Sequence, residues 1–228
     1  MRIRPVIAGY SVGTIEGSGT TGLIVAPTGA PATRYLLSNN HVLNPSNTDN
    51  REATIQPGGA DGGTVAQDRI GRLYRYVRLN PTGTNLIDAA LSLPTRNNLL
   101  NPRYATVGAI PGHVTAYRIG ERLKKVGRTS GRVNGTVESV YTDLQINYGG
   151  ELGLLTFEDQ TVIRGTTPVS LPGDSGSVWL RQSDNYAAAV NYAGTADGRL
   201  SIAFPVQWVM QVFNTRVARP SGAGRVLR

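Results

Sequence analysis

The sequence contains no cysteine, which excludes disulfides, thiol catalysis and cysteine-ligated zinc or iron–sulfur centres. Histidine occurs only twice, and the only lysines are Lys124 and Lys125. No apolar run approaches the roughly 20 residues that a membrane-spanning helix needs, so we expect no membrane span. The first residues, MRIRPVIAGYSVG, lack the apolar core of a signal peptide. We therefore expect either a cytoplasmic protein or the trimmed form of a secreted one.

Positive charge is abundant, with a net charge of +8 that comes almost entirely from arginine. Such a balance could attract nucleic acid or an anionic membrane surface. The arginines are scattered, however, and no aromatic residues are interleaved with them as a base-stacking platform requires. In the densest cluster, DRIGRLYRYVRL (68–79), the arginines recur every third residue, which alternates faces in a strand. We expect a solvated basic surface and no dedicated nucleic-acid site.

Turn formers divide the chain into short segments, with 28 glycines and 13 prolines among 228 residues. Between them lie short β-like runs such as GLIVA (22–26), RYLLS (34–38), LIDAALSL (86–93) and YAAAVNY (186–192). This pattern predicts an all-β sandwich or barrel. Residues 99–112 are the best candidate for a crossing between two halves.

One helix is predicted, over residues 205–213. Pro205 suits a first helical position, and four apolar residues recur on one face: Val206, Val209, Met210 and Phe213. Residues 215–228 show no apolar periodicity, which predicts a flexible basic tail.

The stretch SLPGDSGSVWL (170–180) raises the question of whether Ser175 is a nucleophile or a turn serine. A serine hydroxyl needs an adjacent base, most often histidine. His113 follows a Pro-Gly turn, where a surface or strand-edge histidine is expected. His41 follows a β-like run in YLLSNNHVL, a rigid base from which the imidazole can project. We therefore predict His41 as the base.

A carboxylate should orient that histidine and stabilise its protonated form. Asp49, Asp61 and Asp68 lie in polar surroundings, where solvated loop carboxylates are expected. Asp88 lies inside the apolar run NLIDAALSL, where a buried carboxylate is costly unless it is paired. We predict that Asp88 pairs with His41; the alternative is a strand-end aspartate that faces water.

The oxyanion donors are expected next to the nucleophile. A serine on a tight turn can present its own N–H and that of Gly173 to one point. Gly173 and Gly176 permit the unusual backbone that such a turn needs. GDSG alone is not a rare string, and the ordered set His41, Asp88 and Ser175 is far more specific.

These three blocks, LLSNNHVL, NLIDAALSL and PGDSGSVWL, resemble the catalytic blocks of the chymotrypsin-like (trypsin-fold, S1-type) serine peptidases. The chain is most similar to bacterial, cysteine-free members, and RPVIAGYSVG, VGRTSGRVNGTV and NYAGTADGRLSIAFPVQWVM also resemble that group. The resemblance covers residues 4–213.

The resemblance implies two perpendicular six-stranded antiparallel β-barrels, a cleft between them and a short C-terminal helix. The first barrel would span residues 1–104 with His41 and Asp88, and the second residues 105–214 with Ser175. The implied activity is cofactor-free serine endopeptidase hydrolysis of polypeptides through an acyl-enzyme. In it His41 is general base and then acid, Asp88 its orienter and Ser175 the nucleophile, with Gly173 and Ser175 as oxyanion donors.

The same resemblance implies a substrate pocket formed by Val169, Asn191, Tyr192 and Ala193. Val169 stands where trypsin relatives have an acid at the pocket floor, and Ala193 where a glycine is usual. We therefore expect a small or medium apolar residue at the substrate P1 position rather than Arg or Lys.

Residues 6–9, VIAG, resemble the segment that inserts after zymogen cleavage in animal relatives, with Asp174 as its acceptor. Only five residues precede Val6, so we expect no conventional propeptide. Asp174 is expected to pair instead with an arginine or with backbone donors.

Three further hypotheses about function stay open. The fold could serve as a latent or non-catalytic peptide-binding module, or as a basic surface that binds nucleic acid or membranes. Residues 44–52, NPSNTDNRE, could bind calcium, but an ordinary polar loop is expected, and we expect no metal site. The sequence indicates no particular oligomeric state.

Overall fold

Strands dominate the computed structural model, which describes residues 1–228. Ten strands lie in the first half of the chain: β1 (Val6–Ala8), β2 (Ser11–Thr14), β3 (Gly17–Thr20), β4 (Leu23–Pro27), β5 (Tyr35–Ser38), β6 (Ala53–Ile55), β7 (Arg69–Tyr76), β8 (Thr84–Asn85), β9 (Ala90–Pro94) and β10 (Leu100–Tyr104). Ten more follow: β11 (Gly112–Val114), β12 (Arg122–Gly127), β13 (Gly131–Gly149), β14 (Gly153–Arg164), β15 (Val178–Arg181), β16 (Ala187–Gly194), β17 (Leu200–Pro205), β18 (Thr215–Arg219), β19 (Gly222–Ala223) and β20 (Arg225–Leu227).

Helices are few and short. They are α1 (Asn40–Leu43), α2 (Val65–Asp68) and α3 (Val206–Phe213), with 3₁₀ turns at Gly59–Asp61 and Asn97–Leu99. None of the helices has the length and apolar character needed to cross a membrane.

The strands form two large sheets of nine strands each, and a two-stranded pair, β1–β10. The first sheet has the order β19-β18-β4-β5-β9-β7-β6-β2-β3, and all its pairings are antiparallel. The second has the order β15-β12-β13-β14-β17-β16-β11-β20, with β8 paired to β14. An additional β15–β16 pairing joins the two ends of a six-strand path in this sheet. The predicted all-β class is confirmed.

The apolar core joins the two halves. A cluster of 27 buried residues includes Leu37 of the first sheet and Val190 and Phe204 of the second. The run AAAV in β16 is fully buried, which explains why it reads as continuous apolar sequence rather than as alternation. The two sheets therefore pack directly on each other.

The predicted C-terminal helix is confirmed, although it begins one residue later than expected. Pro205 is the N-cap residue, and the apolar face predicted from the sequence is buried. Asn214 ends the helix with a left-handed φ of 51°, a conformation that Asn adopts at helix ends.

The prediction of a flexible tail over residues 215–228 is wrong for most of that segment. β18 pairs with β4 of the first sheet, and Val217 and Ala218 are 1% and 2% exposed. β20 pairs with β11 of the second sheet. The apolar stretch VA is short and flanked by arginines, so the sequence alone does not reveal that a distant strand pairs with it. The division at residue 104 stays a prediction.

His113 also differs from expectation. It is 1% exposed within β11, which pairs with β16 and β20 on its two sides. Its Nε2 lies 2.7 Å from Gln207 Oε1 of α3. Burial lowers the pKa of His113, and Gln207 only partly opposes that effect. His113 therefore belongs to the core and not to the surface.

Candidate active site

His41 and Asp88 are in direct contact. His41 lies on α1, immediately after β5, and its backbone N–H donates to Asp88 Oδ1 at 3.2 Å. Its Nδ1 forms a short hydrogen bond with Asp88 Oδ2. Asn39 Nδ2 donates to the Asp88 carbonyl at 2.6 Å and joins the two segments. The predicted pairing of these two side chains is therefore present in the structure.

Burial distinguishes the two partners. The Asp88 side chain is fully buried, whereas 26% of the His41 side chain is exposed. Burial acts to raise the pKa of Asp88, but the charge and hydrogen bonds of His41 and the Tyr148 hydroxyl outweigh it and lower that pKa. Asp88 is thus an ionised, buried carboxylate behind an imidazole that faces the cleft, which is the arrangement that orients a general base.

Ser175 faces the same cavity as His41, a space of about 420 Å³ between the two sheets. Its Oγ donates to the Tyr192 carbonyl at 3.3 Å and forms no hydrogen bond with His41. Ser175 O accepts from Thr20 N of the first sheet at 2.7 Å, which fixes the serine backbone. The structure thus brings His41 and Ser175 to one cavity, with Asp88 buried behind His41 and the serine hydroxyl turned toward Tyr192.

The turn before Ser175 leaves two donors free. Neither the Gly173 N–H nor the Ser175 N–H donates a hydrogen bond within the protein. Gly173 has a φ of 99°, and Gly176 one of 90°, both in the left-handed region that favours glycine. The Pro172 carbonyl accepts from Thr129 Oγ1 at 2.7 Å. Because the peptide unit is planar and trans, that bond directs the Gly173 N–H to the opposite side.

A second contact fixes this turn from the first sheet. Thr20 Oγ1 donates to the Gly173 carbonyl at 2.9 Å and accepts from Arg128 N at 2.9 Å. The two carbonyls that flank Gly173 N–H are therefore each hydrogen-bonded to a threonine. Neither threonine was predicted, because nothing in their local sequence marks them.

Asp174 pairs with Lys125 rather than with an arginine. Both side chains are fully buried, and Lys125 Nζ lies 3.4 Å from Asp174 Oδ2. The carboxylate also accepts from the backbone N–H groups of Thr129 (2.9 Å), Ser130 (3.0 Å) and Leu171 (3.0 Å). The expectation of backbone donors is correct, and the cation is a lysine. Burial would raise the pKa of Asp174, but the Lys125 charge and these N–H donors lower it.

Two of the four predicted pocket residues line the cavity, and two do not. Tyr192 and Ala193 lie on its wall, together with residues 170–172 and 194–196. Val169 is fully buried in an apolar cluster of the second sheet, so it does not form the floor. Asn191 is also buried, where its Oδ1 accepts from Ser170 Oγ at 3.0 Å. Asn191 precedes Tyr192 in β16, where successive side chains point to opposite faces of the sheet, so it faces the core.

One further ion pair was not expected from the sequence. Arg128 binds Asp61 through two hydrogen bonds of 2.8 Å and 2.5 Å, so Asp61 is not the solvated carboxylate that we expected. The hydrogen bonds of Arg128 lower the pKa of Asp61 to about 2. No group of three or more His, Asp or Glu side chains is arranged to hold a metal ion.

No protein-family model matches the chain, and no curated protein sequence matches it. Several solved structures do match the chain. A glutamic-acid-specific serine protease described as using a histidine triad in substrate binding has a TM-score of 0.67 at 17% identity, covering 93% of this chain and 100% of that one. The Nocardiopsis protease gives a TM-score of 0.64 at 19% identity, covering 93% and 98%. Cellulomonas bogoriensis chymotrypsin gives 0.64 at 18% identity, covering 93% and 97%. The predicted chymotrypsin-like fold is therefore confirmed over nearly the whole chain.

Proposed function

We propose that this chain, which has the chymotrypsin-like fold, is a serine endopeptidase that acts through Ser175, His41 and Asp88. The observation that carries the proposal is a buried, ionised Asp88 bonded to an imidazole that shares one cavity with Ser175. Two N–H groups without an acceptor, those of Gly173 and Ser175, belong to the turn that carries the serine. A turn serine in a structural role would need none of these features.

The reaction follows from these positions. Ser175 Oγ attacks the substrate carbonyl carbon while its proton passes to His41 Nε2, and Asp88 stabilises the resulting imidazolium. The negative charge that develops on the carbonyl oxygen is stabilised by the N–H groups of Gly173 and Ser175. His41 then gives the proton to the leaving amine, and the C–N bond breaks. Water, deprotonated by His41, hydrolyses the remaining acyl ester and restores the serine hydroxyl.

The hydroxyl must turn from Tyr192 O toward His41 before attack. This is a rotation about the Cα–Cβ bond of Ser175, between staggered positions. Catalytic hydrogen bonds in unliganded enzymes commonly tighten only when substrate binds. A substrate strand that pairs with the Tyr192 segment would compete for the space beside that carbonyl and favour the rotated hydroxyl.

The cavity wall supports a small or medium apolar P1 residue. Its lining includes no Asp, Glu, Lys or Arg, so a charged P1 side chain would be desolvated without an ionic partner. A histidine triad of the kind named for one structural relative cannot be built here, since the chain has two histidines and His113 is in the core. Ala193 adds a methyl group to the wall of the pocket.

A latent or non-catalytic peptide-binding module is the second candidate function. It is favoured by one observation, the Ser175 Oγ bond to Tyr192 O in place of one to His41. In this function the cleft would bind an extended peptide without turnover. The two functions differ in a single measurable property, which is hydrolysis of bound peptide.

The test is hydrolysis of a peptide library with varied P1 residues, compared between wild type, Ser175→Ala and His41→Ala. The endopeptidase proposal predicts cleavage after small or medium apolar residues that is abolished in both variants. Binding of the same peptides without cleavage would favour the latent module. Cleavage dominated by Arg or Lys at P1 would contradict the pocket argument while leaving the activity itself intact.

A further inference from the structure

Asp88 has a third hydrogen-bond donor that comes from the other half of the chain. Besides the two bonds from His41, the Tyr148 hydroxyl donates to Asp88 Oδ2 at 2.7 Å. No lysine or arginine forms an ion pair with this carboxylate. Tyr148 is thus the only side chain other than His41 that donates to the Asp88 carboxylate.

The hydroxyl is well suited to donate. Burial and the nearby charge of Asp88 raise the pKa of Tyr148 well above its ordinary value. The phenol therefore stays protonated at neutral pH, where Asp88 is ionised, and its hydroxyl donates to Asp88 Oδ2. A hydrogen bond from a neutral hydroxyl to a buried carboxylate is charge-assisted and among the stronger kinds in proteins.

The strand that carries Tyr148 is fixed against the Asp88 segment. β13 and β14 form a long hairpin, and β14 pairs in parallel with β8, which ends at Asn85. Gln160 Nε2 donates to the Leu86 carbonyl at 3.0 Å, two residues before Asp88. The backbone that precedes Asp88 and the hairpin that bears Tyr148 are therefore one hydrogen-bonded unit.

The Tyr148 ring is fixed as well. It stacks on Phe157 with ring centroids 5.9 Å apart and an interplanar angle of 18°. Its other neighbour is His41, at 5.4 Å and 85°, an edge-on contact. The ring thus restricts where the imidazole can lie, while the hydroxyl restricts where the carboxylate can lie.

We propose that Tyr148 is a positioning residue of the endopeptidase proposed above, since its hydroxyl fixes the Asp88 carboxylate and, through it, the direction of the His41 imidazole. This inference rests on the proposed function. Tyr148 is not a catalytic residue, because its hydroxyl meets no reacting atom. Its effect is on the orientation of the base and not on the binding of substrate.

The test is Tyr148→Phe, which keeps the ring on the cleft wall and removes only the hydroxyl. We expect kcat to fall about tenfold, because a charge-assisted hydrogen bond to the orienting carboxylate is lost. KM should stay within about twofold, since the ring contacts are kept. The matched control is Tyr117→Phe, which removes another hydrogen-bonded tyrosine hydroxyl, bonded to Thr161 Oγ1 at 2.7 Å.

A second readout follows the hydrogen bond itself. The proton between His41 Nδ1 and Asp88 Oδ2 is expected to give a downfield ¹H resonance, and Tyr148→Phe should shift it while Tyr117→Phe should not. An unchanged kcat, a change confined to KM, or an equal loss of kcat in Tyr117→Phe would overturn the inference. If the wild type hydrolyses no peptide, the proposed function fails, and the resonance comparison alone then decides whether Tyr148 positions Asp88.

Discussion

Replacing Lys125 by Met should expose how much the buried ion pair contributes to the oxyanion turn. The substitution keeps an unbranched apolar stem and removes the only cation that forms an ion pair with Asp174, whose carboxylate is fully buried. Removing one partner of a buried ion pair costs about 3–5 kcal/mol, because the other charge stays uncompensated. Three backbone N–H groups still bind the carboxylate. We therefore place the loss at the lower end, about 3 kcal/mol in the free energy of unfolding.

Two assays measure this effect. Guanidinium unfolding, followed by the fluorescence of the two tryptophans, gives the free energy of unfolding. The centroid of the Trp179 ring lies 5.5 Å from Lys125 Nζ. For a chain of this size about 3 kcal/mol corresponds to a Tm lower by about 6–12 °C. The rate of labelling by a fluorophosphonate reports the turn itself, and it should fall more than tenfold because the Asp174–Ser175 backbone is no longer fixed.

The double variant Lys125→Met/Asp174→Asn is the control. It removes both charges, so it should regain part of the stability that the single variant loses. If the single variant lies within about 1 kcal/mol of wild type and labels at the wild-type rate, the ion pair contributes little to either stability or geometry, contrary to this prediction.

Three further outcomes are expected. Burial lowers the pKa of Lys125 to about 8, so labelling should slow as pH rises through that value, and Lys125→Arg should remove this alkaline fall because arginine stays charged. A labelling rate that stays constant as pH rises through this value in the wild type would contradict the assignment. Gly176→Ala should lower the free energy of unfolding by at least about 2 kcal/mol, because its φ is left-handed and the new methyl meets Ser38 Oγ and Thr20 O; a wild-type denaturation midpoint would disprove this. Thr20→Val should slow labelling about fivefold by freeing the Gly173 carbonyl, and an unchanged rate would show that the turn needs no such bond.

The local chemistry of the site was accessible from the sequence. Asp88 lies in an apolar run, and only a partner such as His41 makes that position tolerable, which is the contact present in the structure. Gly173 and Gly176 were assigned to an unusual turn, and both have left-handed φ. In each case a few neighbouring residues contain the whole argument.

Contacts between distant strands were not accessible in the same way. Tyr148 lies 60 positions from Asp88, and only its place before Gly149 and Gly150 hinted at a hairpin end. Lys125 did carry a signal that was missed, because period-two alternation in RLKKV puts it on the same face as buried Leu123. Val169 was misplaced because a residue next to the cleft can still point into the core.

The most direct test of the central claim is intact-mass analysis after treatment with a fluorophosphonate, comparing wild type with Ser175→Ala and His41→Ala. We expect one adduct per wild-type chain and none in either variant, since labelling needs both the serine and its base. A folded wild type that gains no mass would contradict the claim, and so would an adduct that persists in Ser175→Ala.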